Sequence, residues 1–227
     1  PQSNEEVTVS CELRDEGELS ELSVRLFWRE DGDNDFQSVL MNFDGGDTFS
    51  GNIPPRADGT VIEFFVKAVD ELDSRSWPAE IEGGGNRCNA LYQVNDAFDS
   101  LASREPGVQP VYYLIMTDEE KEEIEDIGTS SSRSESNAKM NITFVSAEST
   151  SIKSVYGASV RNRGAGSRDG PPNNYLVIFP SDQKWKGASA MKFNCRYVHS
   201  QTSGAWLFQL MGVEVPDTIA VQLRING

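Results

Sequence analysis

The sequence predicts a mostly β protein with two domains, an antiparallel β-sandwich followed by an α+β domain. Apolar and polar residues alternate with a period of two over many short stretches, which is typical of strands with one buried face. Clusters of Gly, Asp, Asn and Pro separate these stretches at the short spacing of antiparallel β folds. The balance of charge also changes along the chain, which indicates that two domains follow one another.

Charge is unevenly distributed over the 227 residues. Residues 1–82 carry six basic and 20 acidic side chains, a net charge of −14, whereas residues 139–227 carry ten basic and five acidic ones. Hydrophobic residues make up 37% of the chain, which is enough for folded domains. We therefore expect an acidic first domain over residues 1–82, a linker over 83–109 and a second domain over 110–227.

The first domain shows the alternation most clearly, over residues 7–13, 22–28 and 62–68. Turn clusters lie between these stretches, at residues 31–34, 44–47 and 54–59. This order predicts a sandwich similar to immunoglobulin-like or fibronectin type III modules. The Cys–Trp–Cys spacing of true immunoglobulin domains is missing, so the prediction depends on the strand pattern alone.

The linker and the second domain are predicted in the same way. Three glycines at residues 83–85 mark the end of the sandwich. Thr117 and Glu120 have the spacing of a capping box, which predicts a helix that ends near Gly128. A second helix is predicted from Ser200 to Gly212. Strands are predicted over residues 111–116, 140–144, 154–161, 174–179, 191–197 and 219–225, and Cys11 and Cys195 are expected on inward strand faces.

The most distinctive stretch joins two of these strands, over residues 159–168 (SVRNRGAGSR). Arg161, Arg163 and Arg168 supply planar, permanently charged donors. Gly164 and Gly166 allow backbone N–H groups to turn toward an anion. Such a loop would suit a phosphate group. The same pattern also allows a Gly-rich hairpin with solvated surface arginines, because a single G-x-G is a weak motif.

Other candidate residues lie farther along the chain. Lys192 is on the polar face of its predicted strand and Arg224 is opposite the apolar face of the last one, so both could contact phosphate. Residues 184–186 (KWK) could line a cleft or form a solvent-facing turn anchored by Trp185. His199 has no orienting acid or oxyanion signature beside it, which argues against a nucleophilic site.

Several function classes are disfavoured by composition. An acidic first domain would repel nucleic acid, and no apolar run approaches the roughly 18 residues of a membrane helix, so neither partner is expected. A single histidine argues against zinc. The aspartates at residues 31–35 lack the glycine of a calcium-binding EF-hand loop, so we interpret them as turn residues. The sequence shows no signal peptide, and its first residue is Pro1, which suggests that a natural start has been trimmed.

Four strings in the second domain resemble the spore-coat protein H (CotH) kinase family. They are residues 110–117 (PVYYLIMT), 160–168 (VRNRGAGSR), 173–175 (NNY) and 220–227 (AVQLRING). Residues 89–94 (NALYQV) also fit the junction that follows an immunoglobulin-like module in large secreted or surface bacterial proteins of this family. The resemblance covers residues 88–227 in order.

This resemblance implies an atypical protein kinase that uses ATP and a divalent metal such as Mg²⁺ to phosphorylate serine in a protein substrate. The second domain would be a mostly β lobe whose loop holds phosphate oxygens, and the protein would be secreted or attached to a bacterial surface. The phosphate-binding residues would be Arg161, Arg163, Gly164, Gly166, Ser167 and Arg168, with Lys192 and Arg224 as further contacts.

The chain departs from the family pattern in two respects. Many members carry lysine where this chain has Asn173 and Asn174. The acidic motifs that hold metal and act as a base are expected beyond the Asn-Gly pair at residues 226–227, so we expect a partial kinase lobe without activity of its own. The alternative is a non-catalytic extracellular protein that serves adhesion or surface assembly.

Overall fold

The computed structural model describes residues 1–15, 17–70, 73–79, 89–98, 109–129, 135–148, 151–164, 168 and 170–227. The fold is mostly β, which confirms the predicted class. The chain divides into two compact units, Pro1–Phe98 with Asn226–Gly227, and Asp99–Ile225.

The first unit contains two antiparallel sheets. Its strands are β1 (Val7–Glu12), β2 (Ser23–Glu30), β3 (Gln37–Leu40), β4 (Asn42–Gly45), β5 (Thr48–Ile53), β6 (Val61–Val69), β7 (Ser74–Trp77) and β8 (Ala90–Gln93), with a 3-10 helix at Leu19–Glu21. One sheet has the order β1-β5-β4, and the other has the order β3-β2-β6-β7 with β8 also paired to β6. Leu26 and Trp28 of β2 and Phe49 of β5 are buried between the sheets, as the alternation predicts.

Strand β8 corrects the expected linker. Ala90–Gln93 pairs antiparallel with residues 61–64 of β6, and all four of its residues are buried. This part of the predicted linker over residues 83–109 therefore belongs to the first unit. The glycines at residues 83–85, which suggested the boundary, lie outside the described residues.

The second unit is built on one six-stranded sheet. Its elements are β9 (Val111–Ile115), α1 (Asp118–Thr129), β10 (Met140–Glu148), β11 (Ser151–Arg163), β12 (Asn174–Ile178), β13 (Ala190–Phe193), α2 (Val198–Leu210) and β14 (Gln222–Ile225). The strand order is β13-β12-β11-β10-β9-β14. Neighbouring strands are antiparallel except β14, which runs parallel to β9.

Helix α1 begins where the sequence predicts. The backbone N–H of Glu120 donates to Oγ1 of Thr117 at 3.3 Å, which satisfies one of the amides at the start of the helix. Oε1 of Glu120 also accepts the backbone N–H of Asn141 at 2.7 Å, so the same residue ties α1 to β10. Ile124 and Ile127 of α1 are buried in a core with Tyr112, Phe144 and other apolar residues of the sheet.

The connection between β12 and β13 is anchored by Trp185, as one of the two predicted alternatives requires. Its indole Nε1 donates to Oγ of Ser146 at 3.1 Å, and its ring packs edge-on against Tyr112. The neighbouring Lys186 pairs with the carboxylate of Glu148, which also accepts a hydrogen bond from the hydroxyl of Tyr112 at 2.8 Å. Burial raises the pKa of Glu148, but these two donors outweigh burial, so the pKa lies below its ordinary value of 4.5.

Helix α2 and its flanks differ from the prediction. Strand β13 ends at Phe193, so Cys195 lies outside it and is exposed, whereas Cys11 is half-buried on β1. Helix α2 begins at Val198 after Tyr197, whose left-handed backbone (φ 55°) replaces the expected cap at Ser200. The last strand is shorter than predicted, because it begins at Gln222 rather than at residue 219. Within the described ranges, no helix is long and apolar enough to cross a membrane.

Gly128, near the C-terminal end of α1, lies against two asparagine side chains of the sheet. A Cβ built on Gly128 would lie 1.8 Å from Nδ2 of Asn173 and 3.2 Å from Nδ2 of Asn162. A separation under 3 Å is far inside van der Waals contact, so only glycine fits without displacing Asn173. The helix therefore requires glycine here for close approach.

We predict that Gly128→Ala destabilises the protein by about 1–3 kcal/mol, because overpacking outweighs the gain of about 1 kcal/mol in helix propensity. Gly204→Ala in α2 is the matched control, since a Cβ there would have no neighbour within 4 Å. The control should be neutral or stabilising. Urea unfolding of both variants measures the difference, and equal effects would contradict the proposed contact.

We predict that Glu148→Gln makes the protein less sensitive to acid. A carboxylate whose folded-state pKa is depressed contributes stability above its ordinary pKa of 4.5 and loses that contribution as the pH falls through the folded-state pKa. The wild type should therefore lose stability faster than the variant below pH 4.5 in urea unfolding at a series of pH values. Glu122→Gln, at an exposed position of α1, is the control, and parallel acid profiles for wild type and Glu148→Gln would refute the assignment.

Candidate anion-binding site

The predicted phosphate loop connects β11 to β12, which pair antiparallel as expected. Arg161 and Arg163 are at the end of β11, and Gly164 follows with a φ of 114°, a conformation that glycine adopts without strain. Gly166 and Ser167 lie outside the described residues, so the structure does not test these two predictions. Arg168 is described and lies in the same connection.

The strand register places three of the predicted cations on one sheet face. Arg161 is opposite Leu176 of β12, and Leu176 is opposite Lys192 of β13. Because directly paired residues of neighbouring strands point to the same face, Arg161, Arg163 and Lys192 share a face. The backbones of β11 and β13 are about 10 Å apart across two strand spacings. Lys192 is exposed, and the two arginines are half-buried.

Asn137, which precedes β10, connects Arg161 with Arg168. Its Oδ1 accepts hydrogen bonds from Nη1 of Arg161 and from Nη2 of Arg168, both at 2.9 Å. Nη1 of Arg168 donates to the carbonyl of Ser136 at 2.9 Å. Arg168 is only 7% exposed, so it cannot present a whole guanidinium group to a ligand. Its position indicates that it supports Asn137 and Arg161.

Arg163 is held by a second asparagine, Asn194, which follows β13. Nη1 of Arg163 donates to Oδ1 of Asn194. Nδ2 of Asn194 in turn donates to Oε1 of Gln201 in α2 at 2.8 Å, and Gln201 donates to the carbonyl of Arg196 at 2.9 Å. The orientation of Arg163 is therefore fixed by a chain of amide groups that reaches the first turns of α2.

The two half-buried arginines are held by neutral partners. In the described part of the chain, neither Arg161 nor Arg163 forms an ion pair with a carboxylate, and the side-chain acceptors that hold them are the amide oxygens of Asn137 and Asn194. An amide oxygen orients a guanidinium group without cancelling its charge. Both positive charges therefore remain available to an anion on this face.

Arg224 does not belong to this group. It shares the sheet face, because it pairs in register with Tyr113 of β9, and its guanidinium carbon lies 5.8 Å from the centre of the Tyr113 ring. However, β14 is the edge strand opposite β13, so Arg224 is about 24 Å along the sheet from Lys192.

Sequence reasoning did not find the asparagines that organise the site. Asn137 and Asn194 lie in no recognisable motif, and their contacts with the arginines span 24 to 31 residues of sequence. No local pattern signals a contact of this range. The sequence did single out Asn173 and Asn174, and Oδ1 of Asn174 accepts the backbone N–H of Cys195 at 2.9 Å.

Acidic metal ligands are not gathered on this face. Among the described residues, no three His, Cys, Asp or Glu side chains come together as a metal-binding group. Asp182 and Asp217 are both exposed.

No protein-family model and no curated protein matches the chain.

Proposed function

We propose that the second unit binds the phosphate groups of a nucleotide through Arg161, Arg163 and Lys192, as part of a CotH-like protein kinase lobe. The observation that carries this proposal is the pair of oriented arginines whose charges no described carboxylate neutralises. Guanidinium groups bind phosphate oxygens with strong, charge-assisted hydrogen bonds. An anion is therefore the ligand that these residues favour.

The apolar residues of the same face favour a nucleotide over inorganic phosphate. Leu176 lies between Arg161 and Lys192, and Ile178 lies two residues farther along β12 on the same side. Both are half-buried. Binding sites for nucleotides combine an apolar surface for the base with a few polar groups for the phosphates. The resemblance to CotH kinases suggests ATP.

The proposal is limited to nucleotide binding. Phosphoryl transfer requires positioned phosphates, divalent metal and a group that orients the acceptor hydroxyl. The proposed contacts of Arg161, Arg163 and Lys192 concern the first of these alone. The second candidate function is a non-catalytic, secreted or surface-attached bacterial protein in which the cationic face binds an anionic partner.

Calorimetric titration with ATP and with inorganic triphosphate tests the proposal. The double variant Arg161→Ala/Arg163→Ala should bind ATP roughly 100-fold more weakly, because each charge-assisted hydrogen bond contributes about 1.5 kcal/mol or more. Arg75→Ala on β7, an exposed arginine of the first unit, is the charge-matched control. Equal affinity for the double variant and the wild type would overturn the proposal.

The variant Asn137→Asp, titrated with ATP in the same way, distinguishes an effect of charge on binding from an effect on folding. An aspartate would keep Arg161 and Arg168 oriented through the same oxygen atom, but it would neutralise part of their positive charge. We expect a higher free energy of unfolding, because an ion pair with the buried Arg168 replaces a neutral hydrogen bond. We also expect ATP binding to weaken about tenfold or more. Unchanged ATP binding together with higher stability would show that Asn137 has a structural role only.

A preference for triphosphate over ATP would favour the second candidate function. The apolar residues Leu176 and Ile178 would then make no contribution, and a polyanionic partner would be the better description of the ligand.

A further inference from the structure

The face of β11 that is opposite the arginines carries a buried asparagine, Asn162. Its side chain points toward α1, where Nδ2 donates to the carbonyl of Ile124 at 2.7 Å. Asn162 is 2% exposed, and no donor among the described residues contacts its Oδ1. This hydrogen bond fixes the orientation of the amide, because a flipped amide would place two oxygens against each other.

Asn173 brings a second oxygen of the same kind to the same place. It is 8% exposed, and its Oδ1 likewise has no hydrogen-bond partner among the described residues. The amide nitrogens of Asn162 and Asn173 lie 3.2 Å and 1.8 Å from the point where a Cβ of Gly128 would be, which puts the nitrogens within about 5 Å of each other. The two amide groups that carry these acceptors thus lie beside each other next to Gly128, near the C-terminal end of α1.

Leaving two such acceptors unsatisfied costs about 1–3 kcal/mol each, so native proteins supply a water or an ion at such places. The electrostatic surroundings favour positive charge. The C-terminal end of a helix carries a partial negative charge, and α1 has no basic residue in its last turn to offset it.

The pKa of a neighbouring tyrosine on the sheet also reflects negative charge on α1. Burial and then the charge of Glu125 in α1 raise the pKa of Tyr175, which is paired in register with Asn162 on β12. Neither asparagine oxygen accepts a hydrogen bond from Arg168, whose described hydrogen bonds go to Ser136 and Asn137.

We propose that Oδ1 of Asn162 and Oδ1 of Asn173 bind a monovalent cation, Na⁺ or K⁺, at the C-terminal end of α1. Hard cations take oxygen ligands, and neutral amide oxygens are among them. The donor set contains no carboxylate, which disfavours a divalent ion. This site is separate from the anion-binding face, and its test does not depend on nucleotide binding.

Thermal unfolding of the whole chain in NaCl, KCl or choline chloride at constant ionic strength tests the proposal. Choline is too large to be held between two buried amide oxygens, so choline chloride controls for the screening of charges by salt. A cation that binds only the folded state raises Tm with its concentration. We expect a saturable rise of about 2–4 °C in NaCl or KCl relative to choline chloride, and the more effective salt identifies the ion. Equal Tm values in all three salts would overturn the proposal and leave a buried water as the better description.

Variants at Asn173 give opposite expected results. Asn173→Leu removes the oxygen and should abolish the difference between the salts, whereas Asn173→Asp adds a negative charge and should lower the cation concentration at half-effect about tenfold. Asn42→Asp, which adds the same charge at an exposed position of β4 in the first unit, is the matched control and should leave the half-effect concentration unchanged. If Asn173→Leu does not fold, the comparison between the two aspartate variants decides: equal responses would overturn the proposal.

Discussion

The two faces of β11 are the constraint on which the second unit depends. A strand presents successive side chains to opposite sides of the sheet, so Arg161 and Arg163 must point away from α1 if Asn162 points toward it. Asn162 is fixed by its hydrogen bond to the carbonyl of Ile124 and by burial beside Gly128. A shift of the β11 pairing register by one residue would bury Arg161 and Arg163 against the apolar core. The packing of α1 therefore determines where the cationic face lies.

The neutral amides of Asn137 and Asn194 hold the arginines without cancelling the positive charge of that face. Asn137 and Asn194 orient arginines as a carboxylate would, but they leave the positive charges uncompensated. Such an arrangement is unfavourable for the isolated fold, because like charges on one sheet face repel each other. The acidic side chains of α1, on the other side of the sheet, offset little of this repulsion since they are mostly exposed and screened by solvent.

The sequence predicted features that are governed by local rules and failed where distant contacts decide. Strands β2, β6 and β10 and the Thr117 cap are predicted from neighbouring residues, and the structure confirms them. The pairing of β8 with β6 and the amide contacts of the arginines join residues 24 to 32 positions apart, which no local pattern specifies. Helix α2 begins after Tyr197, which has a left-handed backbone conformation, and no capping residue in the sequence indicates that start.

The proposed cation and the proposed anion would lie on opposite faces of one strand, and their mutual attraction can be bounded. Unit charges about 10 Å apart interact by about 1.7 kcal/mol at an effective dielectric constant of 20. Salt reduces this value, because the Debye length at physiological ionic strength is about 8 Å. A cation beside Asn162 would therefore favour anion binding at Arg161 and Arg163 by tenfold or less. By the reciprocity of linked equilibria, the anion would favour the cation by the same factor. The sheet that separates the two sites would thus also couple them, with no need for a change in the fold.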